Sequence, residues 1–584
     1  MIDGGTVEVI RHYLVSTGEQ MRRTLIQTAF NPVIYEVLDF GISIYDGDLR
    51  LIAEAPGLPD FLGANDYAIR KGVEHVGKDR IHPGDVVLLN YPYWSSAHTS
   101  DALLFAPVFL PDQTSPHAYL AVRAHWMDLG GKDASYILDS TDVHQEGIIL
   151  PATKLVKRGE VDEEILDILR FNSRMPDLIM GDFNAQLSAI RVGERRVLEI
   201  YEKFGIDPVA EAIERIIAHG EAMARDAVRA LPDGQWSAHN FMDGDGITDE
   251  LIRLAVTVTI DGDRMIADYS ESSPMVRGPV NVPFGATQCM ARTVFKSLTT
   301  PNEPTNAGHM RPLEVIAPPG NIFHAVYPAP TFAMWTTFVA LELIHKAIAV
   351  ALDTVPAASG SDVSSFDITG IYPATGEIFS VSQNEGIGWG AMKDHDGANG
   401  LQHPSNSVLR NTSIEVLEQR APILHERLEL WTDSGGAGRR RGGLGTRRDI
   451  RAVAPIEILS LKQKTKTRPW ALHGGKTAEP SGMIAWPGTS RERAIRIERF
   501  DMEPEDRFQH YAGGGGGYGD PLEREPERVV DDVLDGYVSA EAAERDYGVI
   551  VAADGTWTPD ARRADRPAAI SNEQSDDDDA NGSS

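Results

Sequence analysis

His98 and Asp101 stand three residues apart in Tyr91-Pro-Tyr-Trp-Ser-Ser-Ala-His98-Thr-Ser-Asp101, and His125 follows in Arg123-Ala-His-Trp-Met-Asp128-Leu-Gly-Gly131. Two imidazoles and a carboxylate thus flank short apolar runs in a stretch otherwise poor in ionisable groups. This set of nitrogen and oxygen donors suits a borderline or hard divalent ion such as Zn2+ or Mn2+. A bound ion would activate a water or a substrate oxygen. Spacing alone also accommodates a hydrogen-bonded histidine beside a turn-capping aspartate, so both readings stand at this point. Asp39, in Tyr35-Glu36-Val-Leu-Asp39-Phe40, offers another carboxylate or a solvated helix-end acid. Asp128 suits a ligand, a group that supports a ligand, or a turn residue.

The elements around these residues are what must bring them together. Helical spacing over 6–29 stops at Asn31-Pro32, and two alternating runs around Asp46-Gly47 signal a hairpin. Strand-like runs follow at 85–91, 102–110 and 117–125. His98 and Asp101 therefore sit in a strand-end loop, and strand pairing can bring His125 alongside. Helical patterns fill 162–230, broken at Gly205, and loop signals lie at Pro232-Asp-Gly234 and Asp243-Gly-Asp-Gly246. Beyond them come a strand at 253–260, helices near 284–298 and 332–352, and short strands with Gly-rich turns to about 519. Strands and helices in blocks predict an α+β fold, a large multi-layer mixed α/β protein. Its expected parts are an N-terminal metal-binding domain (1–240), a β-rich mixed domain with two buried helices (241–522), a helical segment (523–560) and an acidic disordered tail (561–584).

Composition narrows the function. The chain has 584 residues, 42% of them hydrophobic, enough for a sizeable core. A formal charge of -31 argues against nucleic acid and anionic membrane surfaces, which need a basic face. The single cysteine, Cys289, excludes an internal disulfide and a Cys-based metal site; its helical surroundings predict a core residue. The first residues lack a basic and apolar leader pattern, which predicts a cytoplasmic protein. The apolar run from Phe332 to Leu352 contains Glu342, His345 and Lys346, and reads as a buried helix.

Three glycine-rich stretches need weighing. Gly474-Gly-Lys476-Thr477 resembles the end of a phosphate loop, but Trp470 replaces the required glycine and Pro480 follows too soon for a helix. The stretch from Trp431 to Gly445 offers either an anion site at Arg439–Arg441 or a hairpin. Gly513–Gly517 reads as a flexible or tightly packed connection.

Taken in order, several segments resemble one family over nearly the whole chain. They are Glu36-x-x-Asp39-Phe40, Gly84-Asp-Val-Val, Tyr91-Pro-Tyr, His98-x-x-Asp101, Ala124-His125 with Asp128-x-Gly-Gly, and Gln145-Glu-Gly with Pro151-x-x-Lys-Leu. Further on come Gly181-Asp-x-x-Ala-Gln, Gly193-Glu-Arg-Arg, Gly278-Pro-x-Asn281, Asn306-x-Gly-x-x-Arg-Pro312, Asp433-Ser-Gly-Gly-Ala-Gly, Arg441-Gly-Gly-Leu-Gly and Gly515-Gly-Gly-Tyr-Gly. The chain is similar to the hydantoinase B family, which includes the C-terminal half of 5-oxoprolinases, N-methylhydantoinase B, caprolactamase β subunits and acetone carboxylase α subunits.

The resemblance implies that Asp39, His98, Asp101 and His125 hold a metal, and that a hydantoinase A-type partner supplies the ATP site in a hetero-oligomer. It implies an ATP-dependent cyclic amide hydrolase, with Asp101 or Asp128 as the catalytic acid that handles the proton. A ketone carboxylase subunit is the alternative, and a non-catalytic scaffold a third reading. Where many relatives have Gly-Gly-Thr this chain has Ser95-Ser-Ala97, and where many have His-His it has His125-Trp126. Those departures predict an aromatic substrate pocket carrying Trp94 and Trp126.

Overall fold

The computed structural model describes residues 2–134, 136–361 and 364–564, so the expected acidic tail lies outside the described residues from 565 onward. Helix α1 (Gly4–Thr28) is capped by Asp3, and Asn31 caps the short helix α2 (Pro32–Tyr35). There follow β1 (Phe40–Asp46), β2 (Leu51–Glu54), α3 (Pro59–Val76), β3 (Val86–Leu89), α4 (Pro92–Ser95), β4 (Asp101–Phe109), β5 (Pro116–His125), β6 (Thr153–Lys157) and β7 (Glu160–Val161). These strands form one sheet of seven in the order β2-β1-β5-β4-β3-β6-β7, with every pair antiparallel. Then come α5 (Glu163–Asn172), α6 (Pro176–Phe204) and α7 (Ile206–Arg229), the last two separated by Gly205 at φ +84°.

Both faces of this sheet are covered. Ile42, Leu104, Leu120 and Val122 pack with residues of α1, α6 and α7, while Val87, Leu103, Phe105 and Tyr119 pack with Ala68, Ile69 and Val73 of α3. Strand β1 reads Phe-Gly-Ile-Ser-Ile-Tyr-Asp, an alternating run, yet every residue in it is buried. The small residues make room for α3: a Cβ on Gly41 would come within 2.7 Å of the Phe61 Cβ, and Asn65 donates to Ser43 Oγ at 3.3 Å.

A second layer holds β8 (Gly234–Met242), β9 (Ile252–Asp261), β10 (Arg264–Asp268), α8 (Phe284–Thr299), β11 (Leu313–Ile316) and α9 (Thr336–Ile348), with sheet order β11-β10-β9-β8. Helix α8 lies against α3, and there Cys289 is a buried core residue whose Sγ donates to the Pro59 carbonyl at 2.9 Å. Burial pushes its thiol up to about 12, the state of an inert thiol. Helix α9 is the apolar run of the sequence, and its Glu342 pairs with Lys464 Nζ at 2.6 Å. Among the described residues no helix is long and apolar enough to cross a membrane.

The β-rich part contains β12 (Ser364–Ile371), β13 (Ile378–Asn384), α10 (Ile414–Arg420), β14 (Ile423–Leu430), β15 (Thr446–Ala452), β16 (Ile456–Lys462), β17 (Gly482–Ala485), β18 (Arg493–Ile495), β19 (Glu498–Met502) and β20 (Arg507–Tyr511). They make two antiparallel sheets, β13-β12-β16-β19 and β14-β15-β20-β17-β18, which pack through Phe366, Ile368, Phe379, Ile450 and Phe508. The glycine-rich stretches interlock beside them. A Cβ on Gly442 would lie 1.8 Å from the Gly515 carbonyl, so Gly513–Gly517 is a tightly packed connection. Arg441 is committed to Asp532 and to the Gly442 carbonyl, and Lys476 pairs with Asp546 at 2.8 Å.

The segment expected to be helical over 523–560 is only half so. Helix α11 (Pro526–Leu534) and the single turn α12 (Ala540–Ala542) are followed by a hairpin of β21 (Val549–Val551) and β22 (Trp557–Pro559). Gly548, at φ +67°, ends the helical stretch, and the β-branched Val-Ile-Val run pairs instead.

Candidate metal centre

Strand register assembles the site. Asp101 is the first residue of β4 and His125 the last of β5, and the two are direct partners in the β4–β5 ladder. Phe40 pairs with Ala124, so Asp39, one residue before β1, falls beside His125, whose N–H donates to the Asp39 carbonyl at 3.4 Å. Side chains on a strand alternate faces. Asp39, His125 and Asp101 therefore occupy the α3 face of three adjacent strand ends. His98 reaches them from the loop after α4, where Ser96 reverses the chain at φ +64°.

Other residues fix these strand ends. Arg123 is fully buried; it donates from Nε to Asn65 Oδ1 of α3 at 2.9 Å and from Nη2 to the Ser95 carbonyl. On the opposite face, Gln186 of α6 donates to the carbonyls of Ala102 and Val122 at 3.0 and 2.8 Å. Asp182 of α6 accepts from the N–H groups of Phe30 and Asn31, and Asn31 Nδ2 donates to the His125 carbonyl at 3.1 Å.

The donor atoms converge. His125 Nδ1 is 3.0 Å from Asp101 Oδ1, and His98 Nε2 is 3.5 Å from Asp101 Oδ2. One ligand atom from each of His98, Asp101 and His125 lies within 4.8 Å of the others. A tetrahedral ion with bonds of about 2.0–2.1 Å would hold its ligands roughly 3.3 Å apart, so the trio would have to close in by up to about 1.5 Å to hold one. His98 Nδ1 and Asp39 Oδ1 are buried and lack hydrogen-bond partners, which leaves polar atoms in the site for a bound group to satisfy.

Burial and charge set the protonation states. Burial lowers His98 to about 4, so its imidazole is neutral and free to donate electrons. For Asp101 burial works upward, but His98 and the hydrogen-bonded His125 outweigh it and hold the carboxyl below its ordinary value. Burial works downward on His125, and the Asp101 hydrogen bond outweighs it and raises the imidazole. Asp39 is pushed up to about 7, mainly by burial.

These residues line a cavity of about 100 Å³. Its apolar wall comes from Phe332, Met334, Trp335 and Phe338, and the Phe332 ring stacks on His98 with centroids 4.7 Å apart. Glu146 holds that wall by accepting from the N–H groups of Thr331 and Phe332 at 2.8 and 3.0 Å. A polar wall comes from Ser365, Ser382 and Asn384 of the β-rich part. Tyr136 stacks on His125, and its hydroxyl lies 3.5 Å from His98 Nε2. The site is therefore not contained in residues 1–240, because long-range packing supplies half its walls.

A family model, described as hydantoinase B/oxoprolinase, matches residues 3–521. The chain belongs to that family. Among the relatives, the B subunit of a "Putative D-/L-hydantoinase" from Pseudomonas sp. (strain NS671) is 30% identical over 94% of this chain and 95% of that protein. The caprolactamase β subunit of Pseudomonas jessenii is 28% identical over 97% and 99%. The crystal structure of the ATP-dependent caprolactamase from Pseudomonas jessenii superposes with a TM-score of 0.87 at 28% identity, over 95% of this chain and 98% of that one. Acetone carboxylase in its nucleotide-free structure shares the fold, with a TM-score of 0.86 at 18% identity, over 96% of this chain and 81% of that one.

As a hydantoinase B-family chain, this protein brings His98, Asp101 and His125 together as expected from its sequence, with Asp39 in the same cavity. It does not bring Asp128, Trp94 or Trp126 to that cavity. The Asp128 carboxylate is taken by Arg174, whose Nη1 lies 2.8 Å away, and by the Gly130 N–H. Trp126 follows His125 and so points to the opposite face, where its Nε1 donates to Gln186 Oε1 at 2.8 Å. Trp94 packs on Tyr91 and His75. The aromatic residues that do line the cavity include Phe332, Trp335 and Phe338. Asp60, in the first turn of α3, also lines it without being evident from the sequence, where Pro59 at the helix start is its only signal.

Proposed function

We propose that this chain is the metal-dependent subunit of an ATP-dependent cyclic amide hydrolase of the hydantoinase/5-oxoprolinase type. It would act on an amide activated by phosphorylation on a hydantoinase A-type ATP-binding partner. The observation that carries the reading is the buried His98–Asp101–His125 cluster at the floor of a half-apolar cavity. Membership of the hydantoinase B/oxoprolinase family supports it, as do relatives named as hydantoinase and caprolactamase subunits.

His98, Asp101 and His125 would hold the ion, with Asp39 as a fourth ligand. When bound, such an ion polarises a substrate oxygen and lowers the pKa of water towards about 7. The chain's own residues do the rest. Phe332, Met334, Trp335 and Phe338 pack on ring methylenes and exclude bulk water, which strengthens the polar interactions inside.

The test is reconstitution with the ATP-binding partner and a panel of lactams, hydantoins and ketones, with and without bicarbonate. ATP-dependent ring opening without bicarbonate is the expected result. ATP turnover that requires a ketone and bicarbonate would overturn it in favour of carboxylation.

A further inference from the structure

Asp60 is the one cavity-lining acid outside the row of strand ends. It sits in the first turn of α3 and lines the cavity. Its two oxygens have different surroundings. Turned so that its nitrogen faces the acceptors around it, the Asn406 amide donates to Oδ2 at 2.9 Å and to the Ser405 carbonyl at 3.1 Å. Oδ1 is shielded from solvent and has no hydrogen-bond partner. A polar atom left so in a closed site costs free energy until a ligand satisfies it.

We propose that Asp60 is a substrate-binding residue that reads the nitrogen of the activated cyclic amide, with Oδ2 anchored by Asn406 and Oδ1–H donating to that nitrogen. This rests on the hydrolase reading above. An amide phosphorylated on oxygen carries an imidate-like nitrogen, which presents a lone pair and no N–H. Such a nitrogen needs a donor, and a protonated carboxyl supplies one. The asymmetry suits that role: the oxygen that accepts from Asn406 behaves as the carbonyl, which leaves the hydroxyl at Oδ1. Burial favours the neutral form and pushes the Asp60 carboxyl up. A hydrogen bond to this nitrogen draws electrons from the adjacent carbon and so favours attack there. It also distinguishes a ring nitrogen from a carbon at the same place, because a methylene leaves the donor unsatisfied.

The experiment uses the reconstituted complex and two variants, Asp60→Leu and Asp60→Asn. Asparagine keeps an acceptor for Asn406 and places an N–H donor where Oδ1–H was; leucine keeps the bulk and removes both. Asp60→Leu should retain one metal ion per chain and a wild-type melting temperature, yet lose at least about 100-fold in kcat/KM. Asp60→Asn should stay within about 10-fold of wild type. A kcat/KM within threefold of wild type for Asp60→Leu overturns the inference and leaves the hydrolase reading intact. So does equal loss in both variants with metal retained. If the wild-type complex opens no cyclic amide, the hydrolase reading falls first and the inference with it.

Discussion

Asp101 and His125 are direct partners across the β4–β5 ladder, joined by a 3.0 Å contact between Oδ1 and Nδ1. The pairing that stabilises the sheet is therefore also the pairing that brings together two donor atoms able to hold one ion. His125→Ala and Asp101→Asn should each lower metal affinity by at least about 100-fold, more than the loss of a supporting contact alone. Metal analysis after dialysis against a mild chelator checks this. Wild-type metal content in either variant would exclude the trio as the ligand set.

Trp126 is adjacent to His125 in sequence and opposite to it in space. Trp126→Phe removes the hydrogen bond to Gln186 Oε1 and leaves a buried acceptor unpaired, which costs about 1–3 kcal/mol. The expected result is a lower melting temperature with KM unchanged. Phe332→Ala should do the reverse in kinetics, raising KM or lowering kcat, because its ring stacks on His98 inside the cavity. A substrate preference that follows Trp126 rather than Phe332 would contradict this placement.

The contrast shows what the sequence made legible. His98, Asp101 and His125 stood at the ends of runs whose alternation and turns predicted neighbouring strands, and the β4–β5 register joined them as those runs required. The same alternation places Trp126 on the far face, a period-two inference that proximity to His125 obscured. Phe332 and Asp60 lie 207 and 65 residues from His125, and no local pattern links them to it. Only the packing of α3 over the sheet and of Glu146 against Phe332 brings them in. The complete burial of β1 was hidden for a related reason, since Gly41 and Ser43 read as an outward face until α3 covers them.

Gly515 tests the glycine interlock. An added Cβ would meet the Trp389 carbonyl at 1.9 Å, and backbone cannot move aside as a side chain can. Gly515→Ala should cost more than about 4 kcal/mol and deplete soluble protein. Gly376 is the control: it has φ +75° with nothing within 4 Å of a Cβ, so Gly376→Ala should cost only about 1 kcal/mol of backbone strain. Equal melting temperatures for the two variants would refute the interlock.

Glu342 of α9 provides a pH test at a carboxyl that does not line the cavity. Its Oε2 accepts from Lys464 Nζ at 2.6 Å and its Oε1 from the Ser359 N–H at 2.8 Å. Burial alone would raise the carboxyl, but Lys464 and His403 outweigh it and hold it at about 2, against an ordinary 4.5. A folded-state value below the unfolded one means that the pair's stabilisation is fully present above about pH 4.5 and is lost as pH falls towards about 2. Glu342→Gln takes the buried carboxylate away from Lys464 Nζ and His403 and should lower the melting temperature at neutral pH. The melting-temperature gap between wild type and variant should therefore narrow between about pH 7 and pH 3.5. A gap that stays constant with pH would show that shape, not charge, makes Glu342 matter.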